Sequence, residues 1–263
     1  MLLSIVTINY NNAIGLSFTV DSVKNQTYEN IEFIIIDGNS KDDSVEIIKK
    51  NQYAISYWIS EPDKGIYDAM NKGIKKATGD FILFLNSGDI FYNENVLKNT
   101  ASYIDSKECT YFCRAKSKYN NTSWLYPSQN INSEDDIKTW LDNNEPNHQA
   151  MFFPKEFYQS NLYDLSFKIM GDADYKHRCM NNFKPQFIDI VSTIFEMGGV
   201  SSNPKKFKVV LTQIKERIKV DFKYKKKYSS LLITPIKFLM KFILNKIGYE
   251  NYIKILKKLK GYK

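Results

Sequence analysis

The sequence has few of the residues that disulfide frameworks and zinc sites require. Three cysteines occur among 263 residues, Cys109, Cys113 and Cys179, and they form no CxxC pair and no metal-ligand spacing with a histidine. We therefore predict free thiols in a reducing compartment and no structural zinc.

Long apolar runs are also lacking. No uncharged apolar stretch reaches the roughly 18 residues that a membrane-spanning helix needs. The first apolar run, Leu2–Ile8, has neither a basic segment before it nor a small-residue cleavage site after it. It therefore indicates a strand rather than a signal peptide, and we expect a cytoplasmic protein.

The positive charge is not spread along the chain. Residues 204–263 contain 17 Lys and one Arg against three acidic residues, which gives this segment a net charge of +15. Because the whole chain carries +8, residues 1–203 carry −7. A nucleic-acid-binding domain would distribute its Lys and Arg over the folded surface, so we predict no nucleic-acid partner. A dinucleotide-dependent dehydrogenase is also disfavoured, because Asn9–Asn12 stands where GxGxxG would follow the first strand.

Short apolar runs alternate with helical patterns in the first 90 residues. This alternation predicts an α/β fold with a mostly parallel central sheet flanked by helices. The predicted strands are Leu2–Ile8, Ile31–Asp37, Ile55–Ile59 and Asp80–Leu85. Further on, the pattern predicts strands at 110–116 and 149–153, a helix at 172–181 and a pair of strands within 186–195.

Polar, turn-forming residues follow three of the predicted strands, at Asn9–Asn12, Asp37–Ser40 and Asn86–Asp89. Ligands bind beyond the carboxyl ends of strands in open α/β sheets, so these loops are expected to converge on one site. Asp37 could accept hydrogen bonds from a base or ribose, or simply form an Asx-turn. Asp89 could hold a divalent cation against a diphosphate, or cap the next helix.

These segments together resemble family 2 glycosyltransferases with a GT-A fold. The resemblance is densest over residues 1 to about 95 and is closest to the subgroup from bacterial capsule, lipopolysaccharide and exopolysaccharide (colanic-acid-type) clusters. The matching segments are Ser4–Asn11, Asp21–Val23, Gln26–Tyr28, Ile36–Ser40 with Asp42, Ser60–Gly73, Ala77–Asp80 and Phe84–Asp89.

The resemblance implies a nucleotide-diphospho-sugar transferase and assigns residues to its donor site. The expected nucleotide-sugar-binding residues are Thr7, Asn9, Asp37, Asp63, Lys64, Asn86 and Asp89. The family's Asp-x-Asp motif holds Mg²⁺ or Mn²⁺, but Asn86-Ser87-Gly88-Asp89 keeps only the last carboxylate. A divalent cation with Asp89 as its protein ligand is thus expected from a degenerate motif.

The segment Gly171–Tyr175 resembles the family's acidic acceptor-side motif. The resemblance implies that Asp172 is the general base of an inverting enzyme, with Asp174 as its rival; acidic residues also favour the first turn of a helix for purely structural reasons. His148 matches a position near the acceptor or donor phosphate, or is a hydrogen-bonded structural histidine. Gly199 lies in a segment that resembles the subgroup's closing loop.

The resemblance thus implies an inverting, hexosyltransferase-type enzyme that transfers a sugar to a hydroxyl of a lipid-linked saccharide. The implied process is the biosynthesis of a surface polysaccharide. The expected domains are a catalytic domain, 1–203, divided into a nucleotide-sugar half (1–95) and an acceptor half (96–203), and a basic helical tail, 204–263. The alternative is a non-catalytic nucleotide-sugar-binding or scaffolding protein of the same fold.

The tail carries an apolar stripe with lysines beside it. Such basic amphipathic helices bind anionic membranes, which predicts a peripheral position at the inner face of the plasma membrane. The alternative is a helical pair packed on the catalytic domain. The stripe consists of Ile236, Leu239, Met240, Ile243 and Ile247.

Overall fold

A mixed sheet of nine strands forms the centre of the computed structural model, which describes residues 1–120, 122–196, 207–225 and 229–247. The strand order is β3-β2-β1-β4-β8-β6-β9-β5, and β7 pairs with β6 outside this path. The strands are β1 (Leu3–Asn9), β2 (Ile31–Asp37), β3 (Tyr57–Ser60), β4 (Phe81–Phe84), β5 (Ile90–Phe91), β6 (Cys109–Tyr119), β7 (Thr122–Tyr126), β8 (Met151–Pro154) and β9 (Lys184–Glu196).

Helices cover both faces of this sheet. They are α1 (Ala13–Lys24), α2 (Ser44–Lys50), α3 (Ile66–Ile74), α4 (Val96–Ala101), α5 (Glu134–Leu141), α6 (Lys155–Ser160), α7 (Gly171–Asn182), α8 (Phe207–Val220) and α9 (Ser230–Ile247). Short 3₁₀ turns occur at Gln52–Ala54 and His148–Ala150, and a π-helical turn at Asp221–Lys225 follows α8.

The first four strands are parallel, as the alternating pattern predicts. β1 lies between β2 and β4, and every residue of β1 is buried. Its side chains alternate between the two faces, with Val6 and Ile8 in one hydrophobic cluster and Leu3 and Ile5 in the other. Burial on both faces explains why the strand is apolar throughout, and it confirms the predicted α/β fold.

The second half of the sheet differs from the prediction. A pair of strands within 186–195 was expected, but one continuous strand, β9, runs parallel to β6 over its whole length. The pairing register shifts on both sides of Arg114, which indicates a β-bulge. Because the bulge locally breaks the side-chain alternation, the sequence pattern resembles two short strands.

The first helix of the basic segment packs on the domain. Val210, Gln213 and Val220 of α8 are fully buried, and Phe207 of α8 contacts the ring of Phe242 in α9 with 5.7 Å between ring centroids. The predicted helical pair begins at residue 236, beyond α8, and its second member lies outside the described residues. None of the helices in the described part of the chain is both long and apolar enough to cross a bilayer.

Candidate active site

A cleft of about 820 Å³ opens at the carboxyl end of β4, between α1, α3 and the turn before α7. Its residues come from loops far apart in sequence, which is why one continuous motif cannot describe it. It is lined by Asn12, Ile14, Gly15, Phe18, Ile66, Tyr67, Met70, Asn86, Ser87, Gly88, Asp89, His148, Gln149, Lys168, Ile169, Met170, Asp172, Phe195 and Glu196.

The turn after β4 forms one wall. The amide of Asp89 donates to the carbonyl of Asn86 (2.9 Å), and Gly88 has φ +102°, a left-handed conformation that favours glycine. Thr19 of α1 fixes this turn, because its hydroxyl accepts a hydrogen bond from the amide of Gly88 and donates one to the carbonyl of Asp89. The turn therefore holds Asp89 at the cleft on a rigid support.

Asp89 is buried, with 6% of its surface exposed. Burial raises the pKa of its carboxyl well above the ordinary value, although hydrogen bonds from the Gln149 side chain and the Glu196 backbone act in the opposite direction. The charge of Glu196 adds to the rise. An ionised Asp89 is thus costly at this position unless a cation accompanies it.

The ends of β1 and β2 form a second polar cluster around Asp37, which is fully buried. Its carboxylate accepts from Asn9 Nδ2 (2.8 Å), from the Ser40 hydroxyl (2.5 Å) and amide (2.9 Å), and from the Ser60 hydroxyl (2.6 Å). Burial acts to raise the pKa of Asp37, but these hydrogen bonds outweigh it and hold the pKa below the ordinary value.

The two clusters are joined by the loop that follows β1. The amide of Asn11 donates to the Ser40 hydroxyl (2.8 Å), and the side chain of Asn12 donates to the carbonyl of Ser87 (3.1 Å). The three strand-end loops therefore contact one another, but only those after β1 and β4 line this cleft, whereas all three were expected to converge on one site. Asp37 itself does not line the cleft that Asp89 and Asp172 share, because neighbouring side chains occupy its oxygens.

At the strand-end loops, two buried amide oxygens have no hydrogen-bond partner among the described residues: Asn9 Oδ1, in the Asp37 cluster, and Asn86 Oδ1, in the wall of the cleft. Buried polar atoms are nearly always paired, so an unpaired acceptor at a loop cluster indicates a place where a ligand donates or a cation binds. Asn9 Oδ1 suits an N–H donor, and Asn86 Oδ1 is a hard oxygen ligand close in sequence to Asp89.

The other predicted donor-site residues have different surroundings. Thr7 is buried within the sheet, where its hydroxyl donates to the carbonyl of Leu85 (2.7 Å). Asp63 lies against Gly38, since a Cβ added to Gly38 would come within 2.6 Å of Asp63 Oδ2. The Asp63 carboxylate also accepts from the Gly65 amide (2.8 Å). Lys64 is exposed. Asp63 therefore adjoins the Asp37 cluster, while Thr7 joins β1 to Leu85, the residue after β4.

Asp172 lies in the first turn of α7 and lines the cleft. Its carboxylate is 3.8 Å from the buried ammonium of Lys176, one turn further along the helix. The preceding residue, Gly171, packs against Tyr67, and a Cβ added to Gly171 would lie only 2.7 Å from the Tyr67 ring. Glycine at 171 thus permits the close approach of α7 to α3 that brings Asp172 into the cleft.

Asp174 is buried away from the cleft lining. Its carboxylate accepts from Arg178 (2.9 Å), Lys223 (2.9 Å) and Tyr224 (2.7 Å). Burial acts to raise its pKa, but these partners outweigh it and lower the pKa. Of the two acidic residues of this motif, Asp172 is therefore the one placed to meet a ligand.

His148 lines the cleft but is 95% buried, and its Nε2 lies 2.6 Å from the hydroxyl of Tyr163. Its ring stacks on Phe84, with 5.1 Å between centroids. These contacts place His148 in the floor of the cleft as a neutral, hydrogen-bonded ring. Gly199 lies outside the described residues.

Sequence reasoning did not single out several residues of the cleft. Gln149 hydrogen-bonds Asp89, Glu196 ends β9 beside it, and Tyr67 and Lys168 come from α3 and the turn before α7. Gln149 directly follows the predicted His148 and so could have been flagged. Glu196 lies in the segment that resembles the subgroup's closing loop, whereas Lys168 carried no local signal, because only the fold brings it to the cleft.

Comparison with known proteins identifies the family of the chain. Residues 4–169 match the model of glycosyl transferase family 2. The chain belongs to this family. A glycosyltransferase of Mycobacterium tuberculosis is 32% identical over 211 residues, covering 76% of this chain and 77% of that protein. The PGL/p-HBAD biosynthesis glycosyltransferase of Mycobacterium bovis is 27% identical over 210 residues, covering 76% and 78%.

Solved structures share the fold of this glycosyltransferase. Staphylococcus aureus TarS 1–349 in complex with UDP-GlcNAc aligns with a TM-score of 0.63 at 15% identity, covering 92% of this chain and 81% of TarS 1–349. Mannosyltransferase PcManGT from Pyrobaculum calidifontis, with GDP-Man and Mn²⁺, also gives 0.63, at 11% identity, covering 99% and 81%. The GT-A fold is thereby confirmed for this glycosyltransferase.

Acidification is expected to destabilise the glycosyltransferase through His148. Burial, aided by the charge of Lys176, lowers the pKa of His148 to about 3, whereas an unfolded histidine titrates near 6.5. Between these values the unfolded chain takes up a proton that the native state does not, so the free energy of unfolding falls by about 1.4 kcal/mol per pH unit.

In the variant His148→Gln, the glutamine can still hydrogen-bond Tyr163. The free energy of unfolding of this variant should fall by about 2 kcal/mol less than that of wild type between pH 6.5 and pH 5. Urea unfolding at a series of pH values measures this slope. The control is His177→Gln, which leaves His148 in place and should keep this part of the slope. Equal slopes in wild type and His148→Gln would contradict the prediction.

Proposed function

We propose that the chain is an inverting, hexosyltransferase-type enzyme that moves a sugar from a nucleoside diphosphate sugar to a hydroxyl of a saccharide acceptor. The observation that supports this most is that Asp172 and Asp89 line one cleft from opposite halves of the chain. TarS and PcManGT, which share the fold, were solved with UDP-GlcNAc and GDP-Man. A nucleoside diphosphate sugar is therefore the donor class that we assign.

In this proposal Asp172 is the general base. Its carboxylate takes the proton of the acceptor hydroxyl while that oxygen attacks the anomeric carbon. The bond from the anomeric carbon to the diphosphate oxygen breaks, and the nucleoside diphosphate leaves with the electron pair. Attack on the face opposite the leaving group inverts the anomeric centre in a single displacement.

The nucleoside is assigned to the Asp37 cluster. Asn9 Oδ1 is buried and unpaired among the described residues, so it can accept from a base N–H, and Asp37 can accept from ribose hydroxyls once Ser40 or Ser60 releases an oxygen. Asp63 borders this cluster, and Lys64, on the exposed loop beside it, supplies a cation for a phosphate. Thr7, two residues before Asn9 on β1, is assigned to the support of this site.

The donor diphosphate is assigned to the turn after β4, with a divalent cation, Mg²⁺ or Mn²⁺. Among the described residues that line the cleft, Asp89, Asp172 and Glu196 are acidic and Lys168 alone is cationic. A diphosphate placed there meets excess negative charge, which a cation held by Asp89 and Asn86 Oδ1 would neutralise, stabilising the leaving group. Within the described chain no three His, Cys, Asp or Glu side chains cluster as metal ligands, so phosphate oxygens are assigned the remaining positions.

We assign a lipid-linked saccharide as the acceptor, in the biosynthesis of a bacterial surface polysaccharide. The support is the exposed apolar surface of α9, where seven large side chains are at least 36% exposed. They are Leu231, Leu232, Ile233, Ile236, Leu239, Met240 and Ile243. Four of the five predicted stripe residues are among them; the side chain of the fifth, Ile247, lies outside the described part. The segment's net charge of +15 makes an anionic bilayer the complementary partner.

Replacing Asp172 with Asn should reduce transfer by about 10³-fold, because a general base typically contributes 10²–10⁴-fold. Donor binding should stay within about twofold, since the amide keeps the shape of the carboxylate. The control is Asp135→Asn, an exposed carboxylate at the same second position of helix α5. Transfer is measured as nucleoside diphosphate release and donor binding by calorimetry.

Transfer by Asp172→Asn at the wild-type rate would remove Asp172 as the base. A wild-type protein that binds donors without transfer or hydrolysis across a donor panel would instead favour the alternative, a non-catalytic nucleotide-sugar-binding protein. The observation behind that alternative is the single carboxylate that remains in the turn after β4.

Nucleotide binding should depend on the cation. In a thermal-shift panel of UDP, GDP, CDP and dTDP, one nucleotide should raise Tm with Mn²⁺ and lose most of that shift with EDTA, because a ligand of the folded state stabilises it. Asp89→Asn should lose the Mn²⁺-dependent part while the ligand-free Tm changes little. The control is Asp105→Asn, remote from the cleft lining. An undiminished shift in EDTA would contradict the cation assignment.

Anionic vesicles should bind the protein through α9. Wild type is expected to sediment with phosphatidylglycerol vesicles but not with neutral phosphatidylcholine vesicles, because each Lys near an anionic surface contributes about 1 kcal/mol. The triple variant Leu232→Gln, Ile236→Gln and Ile243→Gln should lose this binding, whereas Tyr103→Ser, at an equally exposed site outside α9, should not. Unchanged sedimentation of the triple variant would overturn the membrane assignment.

A further inference from the structure

The turn that precedes Asp172 is held by a carboxylate from a distant helix. Glu216 of α8 accepts from three successive backbone amides, those of Lys168 (2.8 Å), Ile169 (2.9 Å) and Met170 (2.9 Å). Glu216 is 92% buried, and the three residues that it binds all line the cleft. One side chain thus fixes a stretch of the cleft wall.

The hydrogen bonds continue without a gap to the residue before Asp172. The amide of Gly171 donates to the hydroxyl of Tyr67 (2.9 Å), so four successive amides are bound by two side chains from other parts of the chain. Met170, the N-cap residue of α7, makes no side-chain cap, and Tyr67 supplies an acceptor for the first amide of the helix. Glu216 binds the three amides that lead into the helix, so it fixes the turn directly before α7.

The helix that carries Glu216 is itself fixed. Arg217, the next residue, pairs with the buried Glu145 (2.6 Å) and with Asp221 (2.9 Å). Val210 and Val220 of the same helix are fully buried. Glu216 therefore reaches the turn from a support that resists displacement.

The position of this acidic residue is informative in a segment so rich in lysine. Residues 204–263 hold only three acidic residues against 18 basic ones, and two of the three, Glu216 and Asp221, are buried in hydrogen bonds or ion pairs. The family model ends at residue 169, so Glu216 lies beyond the part of the chain that it describes.

We infer that Glu216 is a positioning residue for Asp172, and that α8 is thereby a working part of the acceptor side of the site. This inference rests on the proposed role of Asp172 as the base. By holding the amides of residues 168–170, Glu216 sets where α7 begins and hence where the carboxylate of Asp172 stands relative to the acceptor hydroxyl.

The test compares Glu216→Gln, Glu216→Asp and the control Lys215→Gln, an exposed neighbour on the same helix. In Glu216→Gln one oxygen becomes an NH₂ group that faces amide donors, so the turn should shift. We expect kcat for transfer to fall about 10- to 100-fold, since a displacement of about 1 Å of a catalytic group can cost 10²-fold. The donor KM should stay within about twofold, and Glu216→Asp should recover part of kcat.

Hydrogen–deuterium exchange gives a readout that needs no activity. Peptides that span residues 163–175 should exchange faster in Glu216→Gln than in wild type or Lys215→Gln, because the amides of residues 168–170 lose their acceptor. Faster exchange that spreads evenly over the chain, with donor KM and kcat impaired in parallel, would indicate a general folding defect and overturn the positioning role.

An active wild type with unchanged kcat in Glu216→Gln would overturn the inference and leave the proposed function intact. An inactive wild type, or a fully active Asp172→Asn, would remove the proposed function and this inference with it. In that event the exchange measurement still shows whether Glu216 holds the turn.

Discussion

Parallel pairing of β1 with both β2 and β4 is the constraint on which the rest of the site depends. The backbone register places Asn9 opposite Asp37, and β4 ends at the same edge of the sheet. Parallel strands present their carboxyl ends on one side, so polar residues that follow them must meet there. The hydrogen bonds of Asn11 and Asn12 then join these loops into one rigid rim.

Charge is separated along this glycosyltransferase in a way that suits its two surfaces. The cleft gathers acidic side chains, and the raised pKa of Asp89 shows the cost of placing a carboxylate there without a cation. Residues 204–263 carry the excess of lysine.

Helices α7 and α8 are held together by a largely buried ionic network rather than by strand-end loops. Burial would raise the pKa of Glu145, but His177, Lys176 and Arg217 surround it and lower the pKa. Removing one member of such a network leaves a buried charge unpaired, which is costly. The network joins α7 to α8, so the helix that carries Asp172 and the helix that carries Glu216 are fixed to the same centre.

The sequence by itself determined the α/β class, the strands that end at Asn9 and Asp37, and the family, because these depend on local alternation and short loops with fixed spacing. It also pointed to Asp89 and Asp172. It did not determine the single bulged strand β9, the burial of Asp174 in an ion-pair cluster, or the separation of Asp37 from the cleft lining. Those features depend on contacts between residues 28 to 104 positions apart, such as Asn9 with Asp37 and Gly171 with Tyr67, and local pattern carries no record of such contacts. Tertiary packing alone decided that Glu216 of α8 would hold the turn before Asp172. The sequence of a lysine-rich helix is the same whether its one carboxylate faces water or binds three backbone amides.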